Sequence, residues 1–487
     1  MAVAAFVGWL AAAPTEMAGS PAPDRVDACV NGLVRTCSVL SSEHGLKPIQ
    51  RTLKALEEST AKNPAVVRVL FYGQSIVGQQ WHPLVMDELR RRYPTVIFEV
   101  ENRAIGGFMS PSLKRTAESD LYPFYPDLVF FHVYGPMDKY EDIVRKIRET
   151  TTAEIVLWTS HLDGKDSETR EKIEKAAAEP DERSCAIFDV ANRYGCLAID
   201  LRTKWSRMML EKGFGPRDVL ADGVHMKTSG PGFASYARFI AEGLRRLPGA
   251  GADTRYCGTI ERIGIRDARI SRKADGSLGF DFVGNRVVAV SDGTGEGECR
   301  ILLDGRPPSE FPELYYTTRP STIVSWMPMI KHVDIGADVR PQVEDWTLTY
   351  LEGTQPDGKA IRFRVDGSVT GFDGEGSNAT DFRSVSGRAV IAKSDFHACW
   401  QYGYFLKGKS DDPRSARPGQ KITWSTKALF ADPFVAGAVG VRTTLVQNCA
   451  NGRHRLMLVP SCGGRVGISH FIVYCPAIKQ KTEGVKK

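Results

Sequence analysis

The chain of 487 residues has no apolar run of the roughly eighteen residues that a spanning helix needs, so a membrane span is not expected. It also lacks blocks of like charge. The 64 Lys and Arg and the 58 Asp and Glu are interspersed and leave a formal net charge of +6. Such a balance offers no basic face, and nucleic acid is not expected as a partner. The one short basic cluster, Lys479 to Lys487, reads as a solvated tail. The ten cysteines contain no C-x-x-C pair and no Cys/His spacing of the kind zinc uses, so neither a metal nor a cofactor is implied.

What is present is ordinary for globular protein: 42% hydrophobic and 25% charged residues. The length exceeds what one hydrophobic core accommodates, which predicts two domains. The opening MAVAAFVGWLAAAP has the apolar core and small-residue end of a secretory signal, although no Lys or Arg precedes it and Arg25 is the first positive charge. Residues 1–22 are therefore read as a signal peptide, and the protein as secreted or extracytoplasmic. In that compartment the cysteines read as disulfides. Cys29 with Cys37 and Cys185 with Cys196 are near enough in sequence to close short loops, but the pairing is not decided by sequence. Asn378-Ala379-Thr380 is a glycosylation sequon, a pattern too common to carry weight.

After an N-terminal segment, residues 23–64, apolar β-rich runs alternate with stretches of helical period, as in a parallel sheet with crossover helices. The runs are Val66 to Tyr72, Val96 to Val100, Leu128 to Tyr134, Ile155 to Thr159 and Leu197 to Asp200. Helices are predicted around Trp81 to Arg92, Tyr140 to Arg148, Glu168 to Ala178 continuing to Tyr194, Lys204 to Glu211, and Phe233 to Leu247. LVFFHV and IVLW are continuous apolar runs, as strands buried on both faces should be. This predicts an α/β domain over residues 65–247, a five-stranded parallel sheet flanked by helices. A Pro-Gly-Ala-Gly-Ala linker follows within residues 248–256. From 257 to 478 short alternating segments bounded by Gly, Asp, Asn and Pro predict an all-β, sandwich-type accessory domain. Its aromatics, among them Tyr315, Tyr316, Trp326, Trp400, Tyr402 and Tyr404, suit either a sandwich core or a carbohydrate-binding face.

In open α/β sheets chemistry gathers at the carboxyl ends of the strands. Tyr72-Gly73-Gln74-Ser75 ends the first run, where the chain must turn into a helix whose free N–H groups can hold an oxyanion. Asp222-Gly223-Val224-His225 follows the fifth run and precedes the last helix. Acid and base three residues apart on one loop can face one site, the carboxylate orienting an imidazole that takes a proton from the serine. Each signal alone is weak, because a lone Gly-x-Ser is more often a helix cap. Their conjunction on one sheet edge is not. The α/β-hydrolase elbow Gly-x-Ser-x-Gly does not fit, since Gly78 stands one residue too late.

These motifs resemble the SGNH/GDSL hydrolases over residues 65–247. Gly73-Gln74-Ser75 is similar to the family's first block, with Gln for the commoner Asp, a variant that resembles members acting on acetylated sugars. Asn102-Arg103-Ala104-Ile105-Gly106-Gly107 resembles the second block, whose last glycine donates an amide to the oxyanion, and Asp222-Gly223-Val224-His225 matches the last. The resemblance implies a flavodoxin-like fold and a serine esterase with Ser75 as nucleophile, His225 as base and Asp222 orienting it. It also implies an oxyanion hole of the Ser75 and Gly107 amides. The third block departs: Gly135-Pro136-Met137-Asp138 has Met137 where the family carries an oxyanion-binding asparagine. Losing one such donor costs on the order of a hundredfold in rate or more. Either Asn102 or another side chain substitutes, or the two amides suffice, or hydrolysis is not the activity. Gln74 and His161, at strand ends, are the candidate substrate contacts, with His132, Tyr134, Asp163, Asp200 and Arg202 as weaker ones. The function so implied is a secreted esterase removing acetyl groups from carbohydrate. The alternatives are a polysaccharide lyase reusing the pocket, or a catalytically impaired carbohydrate-binding protein.

Overall fold

The computed structural model describes residues 48–407, 409–461 and 464–478. The expected signal peptide, Cys29, Cys37, Cys462 and the basic tail lie outside them. The described residues form two compact units. The first takes residues up to 110 together with 126–144 and 153–256; the second takes 111–125, 145–152 and the chain from 257 onward.

The first unit is built on five strands, β1 (Val66–Gly73), β2 (Ile97–Asn102), β3 (Leu128–His132), β4 (Glu154–Trp158) and β5 (Leu197–Ile199). All pair in parallel, in the order β2-β1-β3-β4-β5. The helices in chain order are α1 (Gln50–Glu57), α2 (Ser75–Gly78), α3 (His82–Arg92), α4 (Ser110–Asp120), α5 (Met137–Thr150), α6 (Arg170–Ala178), α7 (Glu182–Tyr194), α8 (Leu201–Lys212), α9 (Pro216–Val219) and α10 (Pro231–Gly243), with α4 after Ser110 and the end of α5 belonging to the second unit. Every residue of β3 and β4 is buried, which is why those runs carry no polar alternation, whereas edge strand β2 alternates exposed and half-buried positions. Strand side chains Val69, Phe71, Phe130, Val156 and Trp158 share one core with Val85 and Leu89 of α3, Trp205 of α8 and Tyr236 and Ile240 of α10. At about 25 cal/mol per Å² of apolar surface removed from water, such burial supplies most of the drive for this layer.

Strand order reverses between β1 and β3, so the crevice above their carboxyl ends is the topological switch point where such sheets bind ligands. Gly73 makes the turn there possible. A Cβ on it would lie 2.1 Å from the His132 carbonyl oxygen and 2.5 Å from the Val77 side chain.

The second unit is mostly antiparallel sheet. One sheet runs Phe434–Val435, Glu298–Leu303, Arg442–Pro460, Leu278–Ser291, Ile468–Cys475, Thr259–Gly264, with Ser271–Arg272 also paired to the Leu278–Ser291 strand. Another runs Tyr315–Thr317, Lys421–Ala428, Glu344–Tyr350, Arg362–Gly367, Gly371–Ser377. Each has its own apolar cluster, and a helix at Ala398–Leu406 interrupts the β pattern. Trp346, Tyr402 and Trp424 are buried in the second cluster, whereas Trp326 is exposed.

No helix among the described residues is long and apolar enough to cross a membrane. The expected disulfides are not formed among the described residues. Instead Cys299 and Cys449 are packed as small apolar groups in the first β cluster, and the Cys196 and Cys257 thiols donate to the carbonyls of Tyr194 and Gly258.

Candidate active site

Ser75 is the first residue of α2, and Gln74 before it is extended, so the nucleophile candidate sits where strand becomes helix. Asp222 and His225 lie in the loop between α9 and α10. That loop is closed by the Leu220–Met226 bridge and by the Ala221 amide donating to the His225 carbonyl at 2.8 Å. The three side chains form one chain of hydrogen bonds. His225 Nε2 is 2.8 Å from Ser75 Oγ, and His225 Nδ1 is 2.9 Å from Asp222 Oδ2. The other carboxylate oxygen, Oδ1, accepts the Val224 and His225 amides at 2.7 and 2.6 Å. Partial burial disfavours the Asp222 carboxylate, but these amide and imidazole bonds outweigh it and hold its pKa below the ordinary value. An anionic Asp222 calls for a proton on Nδ1, which leaves the Nε2 lone pair facing the serine hydroxyl.

Ser75 and His225 open into a cavity of about 290 Å³ lined also by Gln74, Gly107, Tyr134 and His161. Gly107 has φ 85°, a left-handed backbone that favours glycine. Gln74 is buried, and its carboxamide nitrogen and oxygen have no hydrogen-bond partner among the described residues. Tyr134, Asp163 and Arg202 line the cavity as well. Sequence reading missed Arg183 and Asp181, which join them there. Arg183 donates to the carbonyls of Val133 and Gly135, its guanidinium lies 5.5 Å from the Tyr134 ring centre, and burial lowers its pKa. Arg202 pairs with Asp166 at 3.0 Å and with Asp181 at 3.4 Å. Nothing local in the sequence marks Arg183, which is one arginine in the first turn of a helix.

Two expectations need correction. Asn102 does not supply an oxyanion donor: its Nδ2 donates to the Val77 carbonyl at 2.9 Å and lies 3.1 Å from His82 Nδ1, and its Oδ1 accepts the Ala104 amide. His161 lines the cavity but is buried, and its Nε2 donates to the Val224 carbonyl at 2.7 Å, so its hydrogen bond is spent on the loop carrying His225. Burial pushes its pKa down to about 4, leaving the ring neutral at neutral pH. His132 and Asp200 are likewise structural. His132 is fully buried and stacks on Trp158, and Asp200 caps α8 through the Thr203 amide.

The first unit, a five-stranded parallel sheet flanked by helices, fits the SGNH fold. No family model matches the chain, and no curated protein matches it. Among solved structures, the chain is similar to a two-domain esterase active on acetylated mannans, at 13% identity over 89% of this chain and 96% of that one, with a TM-score of 0.34. It is also similar to an acetylxylan esterase from Geobacillus stearothermophilus, at 19% identity over 39% of this chain and 99% of that one, with a TM-score of 0.30. A third is an alpha/beta hydrolase from the metagenome of Lake Arreo, Spain, at 16% identity over 37% of this chain and 94% of that one, with a TM-score of 0.29.

Proposed function

We propose that the protein is a serine esterase that removes acetyl groups from carbohydrate. The observation that carries the reading is the continuous chain Asp222–His225–Ser75, with spacings of 2.9 and 2.8 Å, opening into a cavity. In this mechanism Ser75 Oγ attacks the ester carbonyl while His225 Nε2 takes its proton. The imidazolium is stabilised by Asp222 and returns the proton to the departing sugar oxygen. Water activated by His225 then attacks the acetyl-enzyme, releasing acetate and restoring Ser75. The amides of Ser75 and Gly107 hold the oxyanion. With Met137 in the third block and Asn102 engaged elsewhere, hydrolysis proceeds on these two donors unless a residue outside the family pattern adds a third.

The acetylated-sugar assignment rests on Gln74 in the first block and on the character of the cavity. Phe108 and Met109 give an acetyl methyl apolar contact, and Asp163, Arg183 and Arg202 give hydroxyl groups donors and acceptors that a lipid chain would waste. The apolar stretch within residues 1–22 supports export, and sequencing the N-terminus of the mature protein tests it.

The deciding experiment is acetate release from a panel of acetylated polysaccharides, with Ser75→Ala beside the wild type. Release abolished by the substitution establishes Ser75-dependent deacetylation. No release from any polysaccharide or small aryl ester by the wild type overturns the esterase reading in favour of a lyase or a binding protein.

A further inference from the structure

The proposed chemistry needs Ser75 and His225 to keep a 2.8 Å contact although 150 residues separate them in sequence. The serine belongs to α2 and the histidine to the loop before α10, and no covalent constraint joins the two. A longer chain of contacts does. The backbone N–H of Gln79, the residue after α2, donates to the Ser75 carbonyl at 2.9 Å. The side chain of the same residue reaches the peptide groups of Met226, next to His225. Its Nε2 donates to the Met226 carbonyl at 2.9 Å, and its Oε1 accepts the Met226 N–H at 3.2 Å.

We infer that Gln79 is a positioning residue: its carboxamide locks the His225 loop onto the nucleophile turn and thereby sets the Ser75–His225 distance. The inference rests on the esterase reading and assigns Gln79 no contact with substrate. A primary amide is the group this geometry asks for, because one donor and one acceptor side by side complement both polar groups of a single residue. Met226 is a firm handle, being buried in the apolar core. The opposite side of the loop is held as well: His161 Nε2 donates to the Val224 carbonyl, and the Gly164 amide donates to the Gly223 carbonyl at 2.8 Å. His225 is thus braced on both flanks, and the Gln79 brace connects directly to Ser75 through the Gln79 N–H. Gln79 does not line the cavity, so its removal leaves the lining intact.

Misplacing a reacting group by about 1 Å can cost on the order of a hundredfold in rate. Gln79→Met keeps the bulk of the side chain and removes both bonds. Its expected signature is kcat reduced roughly ten- to hundredfold on an aryl acetate with KM within about twofold of wild type. Gln79→Glu adds a readout that packing alone would not move. As a carboxylate it sets an anion against the Met226 carbonyl; protonated, it again offers one donor and one acceptor. The ratio of its kcat to that of wild type should therefore rise as pH falls from 7.5 to 5.5.

The experiment measures both variants against wild type by steady-state kinetics and by the rate at which a fluorophosphonate labels Ser75, with thermal melting to confirm that each is folded. Slowed labelling and lowered kcat in a folded Gln79→Met variant support the inference. Wild-type kcat and labelling rate in that variant, or a ratio for Gln79→Glu that does not change with pH, overturns it while the esterase reading stands. Failure of the wild type both to hydrolyse the ester and to be labelled overturns the esterase reading, and this inference with it.

Discussion

At the scale of single residues, His161 lines the cavity yet spends its hydrogen bond on the fold. Its ring is packed edge-on against Trp205 and Tyr236, Nε2 is spent on Val224, and buried Nδ1 has no hydrogen-bond partner among the described residues. Burial lowers its folded-state pKa to about 4, below the roughly 6.5 of a free histidine. Between those values the unfolded chain binds the proton and the folded chain does not. The neutral ring's contribution is therefore complete above pH 6.5 and is lost as pH falls toward 4. With about 1.4 kcal/mol per pKa unit, the loss is on the order of 3 kcal/mol. Melting curves from pH 7.5 to 4.5 should show a falling midpoint for wild type and a shallower fall for His161→Gln, which keeps an N–H for Val224 without a titrating ring; parallel curves would count against it. The positions of Ser75, Asp222 and His225 were legible because each stood at a predicted strand end or just before a helix. Where the Asn102 amide points, and that Gln79 meets Met226, were not. Both depend on partners 25 and 147 residues away that no local pattern encodes.

At the scale of elements, the five apolar runs correspond to β1 through β5 with ends shifted by at most two residues, and full burial makes β3 and β4 the most continuous of them. Helix α4 escaped notice. Its sequence SPSLKRTAESD has too few apolar positions for a helical period to emerge, although Leu113, Thr116, Ala117 and Ser119 are buried. In the second half, where short segments bounded by turn residues are expected, Leu278–Ser291 is one long strand. Gly284, with φ 153° and a Cβ position 2.2 Å from the Tyr474 carbonyl oxygen, marks a close approach within that strand rather than a turn. The β1–α2 connection is the most demanding element of the site. Gly73→Ala places a methyl against the backbone of His132 and the side chain of Val77, neither able to yield without moving β3 or α2. Destabilisation on the order of 3 kcal/mol is expected, with ester hydrolysis lost more steeply than stability, since the strain falls on the turn carrying Ser75. Chemical denaturation alongside kinetics checks this, and an active, equally stable variant would show that the turn tolerates the methyl.

At the scale of the whole molecule, the three blocks all lie before residue 257, which suggests that a chain ending there would suffice for chemistry. The composition of the second unit argues otherwise. Residues 111–125 and 145–152 belong to it, and their polar groups find partners there. Arg115 pairs with Asp395 at 2.7 Å and Asp334 at 2.6 Å, and Arg319 with Asp120 at 2.7 Å. Tyr125 Oη donates to Asn285 Oδ1 at 2.9 Å, and Asn285 Nδ2 donates to the Thr150 carbonyl at 2.8 Å. Asp395 and Asp120 are almost fully buried. Removing one partner of a buried ion pair costs roughly 3–5 kcal/mol, and native domains have only about 5–15 kcal/mol in hand. Ending the chain at residue 256 removes Asp334, Asp395, Arg319 and Asn285 together, leaving parts of α4 and α5 without the core they belong to. Such a fragment should be insoluble or aggregated by size-exclusion chromatography and unlabelled by a fluorophosphonate, although it carries Ser75, Asp222 and His225. A soluble monomeric fragment that labels at the wild-type rate would mean that these ion pairs are dispensable to the fold of the site at Ser75 and His225. The accessory half would then be free to act as a separate module.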